Sequence, residues 1–167
     1  MARRLRRQYP GARHHIGTQG TNSCAIVHDD SDRFVLVSLM DTIVVERAWI
    51  CTAFCVMTTH YHMVVETPDP DLDRGIHFLN GAYAQYFNRR YGRNGHLFGD
   101  RYFSRVIERD EHALEAPRYV DLNPVRAGVC ASPEEWRWSS YRSLLSRMVQ
   151  RGRTVGRSVP CSAQGPP

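Results

Sequence analysis

The feature that most constrains this chain is an alternation of hydrophobic period. Two stretches of helical spacing enclose two short apolar runs that are parted by a single polar pair. Residues 72–91 carry Ile76, Leu79, Tyr83, Tyr86 and Phe87 at spacings of three and four, one stripe of a helix, and Gly92-Arg93-Asn94-Gly95 stops it. Residues 29–47 open with Asp-Asp-Ser-Asp, a helix N-cap signal. Phe34, Val37, Leu39, Met40, Ile43 and Val44 follow at roughly helical spacing. Between these helices, residues 48–57 are apolar and aromatic, and residues 60–66 alternate and become β-branched. Thr58-Thr59 separates them, so the pair reads as a strand hairpin.

The flanking segments complete the pattern. A short strand is expected over 14–18, closed by Gly17 and Gly20, and another within 97–107. A third helix is expected over 111–122, ended by Asn123-Pro124, because the residue before proline disfavours the helical region. A last helix or turn, with Trp136, Trp138 and Tyr141, is expected over 133–145. The order β-α-β-β-α-β with added C-terminal helices predicts an α+β, ferredoxin-like fold with helices on one sheet face and the other face open to a ligand. One domain is expected over 1–149, followed by a disordered, arginine-rich tail over 150–167.

Composition narrows the partner. The net charge is +5, and all 22 basic residues are arginine, which favours an anionic partner, nucleic acid above all. The five cysteines are irregularly spaced and fit no zinc-finger box, so they read as reduced, buried, core-filling thiols. No apolar stretch is long enough to span a membrane, and the basic N-terminus lacks the apolar segment of a secretory signal. A cytoplasmic location is the resulting expectation.

Three groups of residues offer chemistry. In His60-Tyr61-His62, strand alternation turns both imidazoles to one face, where they can grip one divalent ion. From the tripeptide alone a pair of surface or packing histidines is the commoner case, but two polar rings facing the core would need partners there, so a working sheet face explains them more easily. Tyr119 and Asn123 lie four apart on a helix and so share a stripe. A phenol is a covalent nucleophile type, and an amide oxygen suits a hard cation, although a tyrosine on an amphipathic helix is more often core. Arg89, Arg90, Arg93, Arg101 and Arg105 interleave with Tyr86, Tyr91, Tyr102 and Phe103, which suits a single nucleic-acid strand or else an ordinary solvated helix end.

Several blocks then resemble one family in order. They are Tyr9-Pro10-Gly11-Ala12, Cys55 through His62, Tyr83 through Arg90, Gly95-His96-Leu97-Phe98 with Arg101-Tyr102, Arg118 through Gly128, and Trp138-Ser139-Ser140-Tyr141. Over about residues 2–145 the chain resembles the REP-associated tyrosine transposases, single-tyrosine HUH enzymes of the insertion-sequence type. The resemblance implies that His60 and His62 bind a divalent metal, Mg²⁺ or Mn²⁺, with Asn123 helping, and that Tyr119 is the nucleophile. It implies a transesterification without ATP on single-stranded DNA, through a 5′-phosphotyrosine, with hairpin-forming repeats as substrate. Arg3 and Arg4 of the N-terminal arm are expected to join the other arginines on DNA. Either a monomer or a homodimer is compatible with the sequence.

The chain departs from the family pattern at defined places. Thr58-Thr59 replaces a usual Pro-Asn, Gln19-Gly20-Thr21 stands where Arg-Gly-Asn is common, and Gly99-Asp100 stands for Gln-Gly. Asp121 occupies a frequent histidine position, and Pro117 lies two residues before Tyr119, where it removes a helical hydrogen bond. These departures fit an altered DNA preference, or a domesticated relic that binds hairpin DNA without cutting it. An unrelated RNA-binding ferredoxin-like module is the remaining alternative. Its mark would be base-stacking aromatics on the central strands, where this chain has histidines.

Overall fold

The computed structural model describes residues 8–99, 101–108 and 110–142, leaving aside the side chains of 110–113. Arg3, Arg4 and the tail from residue 150 lie outside the described residues. The expected order is present: β1 (Ala12–Gln19), α1 (Asp30–Glu46), β2 (Ile50–Val56), β3 (His60–Thr67), α2 (Leu72–Tyr91) and β4 (Phe103–Val106). The strands form one sheet of order β2-β3-β1-β4, every neighbouring pair antiparallel. Two further helices follow, α3 (Asp110–Asp121) and the single turn α4 (Asn123–Arg126). The architecture is the α+β, ferredoxin-like plan with C-terminal helices.

Helix ends follow their sequence signals. The Asp29 carboxylate accepts the Asp32 N–H at 3.0 Å and caps α1. Gly92 ends α2 at a φ of +60°, a left-handed conformation that costs glycine little. The core lies between α1 and α2 and one sheet face. Ile16, Tyr61, Met63 and Val65 meet Leu36, Met40 and Ile43 of α1 and Ile76, Leu79, Tyr83 and Phe87 of α2. Along α1 the buried stripe is rotated from the expected one. Leu36 is buried, whereas Phe34 stands 67% exposed and Val37, Leu39 and Val44 are half-buried. An apolar face this wide leaves the period ambiguous, and packing against the sheet decides it.

The second sheet face is only partly open. Helix α3 packs on β2 and β3, where Val120 meets Ala53, Cys55, Met57 and Val64. The chain beyond α4 then covers the outer edge of β2: Val56 N–H donates to the Trp138 carbonyl and Ser140 N–H to the Phe54 carbonyl, both at 2.9 Å. This pairing shields an edge that would otherwise expose unpaired backbone groups. The segment expected as a helix or turn from 133 opens as one 3₁₀ turn, Pro133–Glu135.

Of the cysteines, Cys55 is buried, and Cys24, Cys51 and Cys130 are half-buried rather than fully enclosed. All four are free thiols, and burial pushes Cys51 and Cys55 up to about 12. Cys161 lies outside the described residues. No helix among the described residues is long and apolar enough to cross a membrane.

Candidate active site

Strand alternation sorts the His-Tyr-His residues. Tyr61 points into the helix-covered core, fully buried, and its hydroxyl donates to Asn80 Oδ1 at 2.7 Å. His60 and His62 lie on the opposite face. Directly across from His62 on β1 stands Gly17, where a Cβ would sit 2.9 Å from His62 Nδ1. The missing side chain is what gives the His62 ring its room. Two residues earlier on the same face, His15 brings its Nε2 to 3.3 Å from His62 Nδ1.

The C-terminal helices complete the cluster. Tyr119 of α3 sets its ring edge-on to His15 at 5.6 Å and to His62 at 6.0 Å between centroids. Asn123 of α4 turns Oδ1 toward His60 Nε2 at 3.4 Å, while His60 Nδ1 meets the Thr59 hydroxyl at 3.1 Å. Tyr119 and Asn123 do not share one helix as their spacing suggested: α3 ends at Asp121 and α4 begins at Asn123. Proline at 124 has no N–H to continue the ladder, so the helix restarts there. The two side chains still reach the same site. Helix α3 runs through Pro117 to its end, and the buried Asp121 ties that end to the β2 edge by accepting from the Ser140 hydroxyl at 3.0 Å.

The imidazoles are held neutral. Burial pushes His62 down to about 4, with the neighbouring His60 and His15 adding to the effect. Burial also lowers His60, and lowers His15, where the Arg105 charge contributes. Neutral imidazoles keep a ring lone pair for a Lewis acid.

A groove of about 1050 Å³ opens beside this cluster, lined among others by His15, His62, Tyr119 and Phe103, by the basic side chains Arg105, Arg118 and Arg126, and by the carboxylates of Glu108 and Glu115. Phe103 is 54% exposed and meets His15 edge-on at 5.7 Å. Of the arginines singled out from the sequence and described here, only Arg105 lines this groove. Arg90 bridges Asp29 and the buried Asp32, and Arg93 lies over the Phe87 ring, both on the helix-covered side. Arg89 is exposed in the last turn of α2, and Arg101 is exposed before β4. Tyr86 and Tyr91, taken with them as stacking candidates, donate to Asp32 instead. Sequence reasoning missed His15, Arg118 and Arg126. Strand alternation relative to His62 was the signal available for His15 only once the β1–β3 register is known.

The donor set fits a divalent ion held by three side chains. Among the described residues no group of three or more His, Cys, Asp or Glu side chains is placed to hold a metal, so an ion held by His60 and His62 would need a further donor of another kind. Asn123 meets that need, and its 3.4 Å separation from His60 Nε2 is close to the roughly 3 Å between adjacent donors on one octahedral ion. His62 is braced from β1 at Nδ1, the kind of outer contact that orients ligating histidines.

Residues 2–123 match the model of a family described as IS200-like transposase. The fold is similar to that of a REP-associated tyrosine transposase bound to a REP hairpin, with a TM-score of 0.72 and 16% identity, covering 99% of this chain and 93% of that one. It is also similar to a crystal structure at 1.90 Å of a protein from Deinococcus radiodurans R1 described as a transposase, with a TM-score of 0.50, 16% identity, and coverage of 71% of this chain and 96% of that one. No curated relative matches the chain in sequence.

Proposed function

The chain belongs to the IS200-like transposase family, and from that premise we propose that it cuts and rejoins single-stranded DNA at hairpin-forming repeats, with Tyr119 as nucleophile. The observation that carries this reading is that three separate elements bring Tyr119 against His62 at the groove and Asn123 against the neighbouring His60. The solved relative bound to a REP hairpin supports hairpin DNA as the partner.

The chemistry follows from the positions. Tyr119 Oη attacks a phosphodiester phosphorus, and the P–O3′ bond breaks. The phenol proton is lost to solvent, and the departing 3′ oxygen takes one up. The product is a 5′-phosphotyrosine, which keeps the energy of the broken bond, so rejoining by a 3′-hydroxyl needs no ATP. His60, His62 and Asn123 would hold Mg²⁺ or Mn²⁺, which when bound supplies a Lewis acid for the phosphate oxygens. His15 and His62 seat the Tyr119 ring from one side of the groove. Arg105 and Phe103, adjacent in the groove, suit a phosphate and a base of the incoming strand.

The test is a covalent adduct. Incubation with labelled hairpin DNA and Mn²⁺ is expected to give a denaturation-resistant protein–DNA band that Tyr119→Phe and chelator both abolish. Hairpin binding without any band, by a folded protein, would instead make the chain a binding relic.

A further inference from the structure

We propose that Arg126 is a catalytic residue of this reaction, its guanidinium holding the phosphate that Tyr119 attacks. The proposal rests on the reading above and adds a residue that the metal-and-tyrosine scheme leaves without a role.

Position is the first argument. The Arg126 guanidinium carbon lies 4.8 Å from the centroid of the Tyr119 ring, over its face, while His15 and His62 approach the ring edge-on. Arg126 is fixed by the same turn that presents Asn123. The Arg126 N–H donates to the Leu122 carbonyl and the Ala127 N–H to the Asn123 carbonyl, both at 3.0 Å. One short helix therefore carries a candidate metal donor at its start and, at its end, a cation that lies over the nucleophile's ring.

Charge is the second. Arg13, Arg33, Arg47, Arg90 and Arg137 each pair with a carboxylate. Among the described residues Arg126 pairs with none and lines the groove. A ring contact at an exposed position is weak in itself and does not explain holding a cation over the nucleophile. Phosphate does: the guanidinium offers paired donors that match two phosphate oxygens. In this role Arg126 acts as fixed charge. As the Tyr119 Oη–P bond forms and the P–O3′ bond breaks, charge spreads over the non-bridging oxygens, where such a clamp acts most strongly.

The experiment compares wild type with Arg126→Ala, Arg126→Met and Arg126→Lys in the full chain with Mn²⁺. The probe is a 3′-fluorescein-labelled oligonucleotide carrying the hairpin-forming repeat beside its own gene. Single-turnover adduct rate is measured at saturating DNA, and Kd separately by anisotropy. Met keeps an apolar stem over the ring without the charge. The expected result is a rate lower by about 100-fold or more in the Ala and Met variants. Kd should stay within about threefold, since one phosphate contact contributes little to total affinity, and Lys should be clearly faster than Met. A Met variant as fast as wild type, or a rate loss that vanishes at saturating DNA, would overturn the role of Arg126 alone. A wild-type chain that forms no adduct would bring down the parent reading with it.

Discussion

Gly17 and His62 face each other across β1 and β3 so closely that a Cβ on Gly17 would lie 2.9 Å from Nδ1 of the His62 ring. The glycine is there for space. Gly17→Ala is expected to swing His62 away from Asn123 and His60 while leaving the sheet intact. Mn²⁺ affinity should weaken by roughly tenfold or more, as when a support of a metal-binding histidine is lost. Stability should fall by about 1–3 kcal/mol from overpacking. Calorimetric Mn²⁺ titration beside urea unfolding reads both, and unchanged Mn²⁺ binding would refute the claim that Gly17 makes room for a ligand.

The proposed donor set of His60, His62 and Asn123 predicts a metal preference. Two imidazole nitrogens and one amide oxygen favour a first-row ion over the harder Mg²⁺. Chelator should abolish adduct formation, and Mn²⁺ should restore it at a lower concentration than Mg²⁺. Asn123→Ala should raise the Mn²⁺ concentration needed for half-maximal rate. A requirement for Mn²⁺ identical in wild type and Asn123→Ala would remove Asn123 from the set.

Stability of the metal-free protein should fall in mild acid. His62 is held down to about 4 and His14, His15 and His60 are lowered, all chiefly by burial. His14 is fully enclosed on the helix-covered face, with neither ring nitrogen hydrogen-bonded. Below about 6.5 the unfolded chain binds protons that the native state refuses, so the unfolded state gains. The stability these neutral rings contribute is whole above that pH and lost as pH falls toward 4, the folded value of His62. His62 alone accounts for about 2 kcal/mol of loss by pH 5. Urea midpoints in chelator at pH 7.5 and pH 5 would read this, and equal midpoints would contradict the buried, neutral site.

Two arginines that look alike in sequence should behave differently. Arg90 is bonded to Asp29 and to Asp32, a buried carboxylate, so Arg90→Ala should lower the urea midpoint by leaving Asp32 without its cation. Its hairpin DNA affinity should be unchanged. Arg105 lines the groove, so Arg105→Ala should weaken DNA binding and flatten its salt dependence with little loss of stability. The opposite pattern would place the DNA on the α1–α2 side.

Much of the fold was readable because its elements rest on local signals. The α2 stripe from Ile76 to Phe87, the Asp29 cap and the Gly92 stop all depend on near neighbours. So does the facing of His60 and His62, which follows from strand period alone. What escaped was set by long-range register and packing. His15 joins the site only because β1 pairs with β3 so that Gly17 meets His62. Arg90 resembled a DNA contact until α1 delivered Asp29 and Asp32 to it. Arg118 and Arg126 acquire meaning only from the way α3 and α4 fold back over the sheet beside β4.

The central claim is that Tyr119 becomes linked to DNA, and the most direct measurement is to find the linkage. The adduct formed with hairpin DNA and Mn²⁺ is digested with nuclease and protease, and the nucleotide-bearing peptide is sequenced by mass spectrometry. The account predicts one modified peptide, carrying its nucleotide through a 5′ phosphate on Tyr119. A nucleotide on any other residue, or an adduct that persists in Tyr119→Phe, would contradict it.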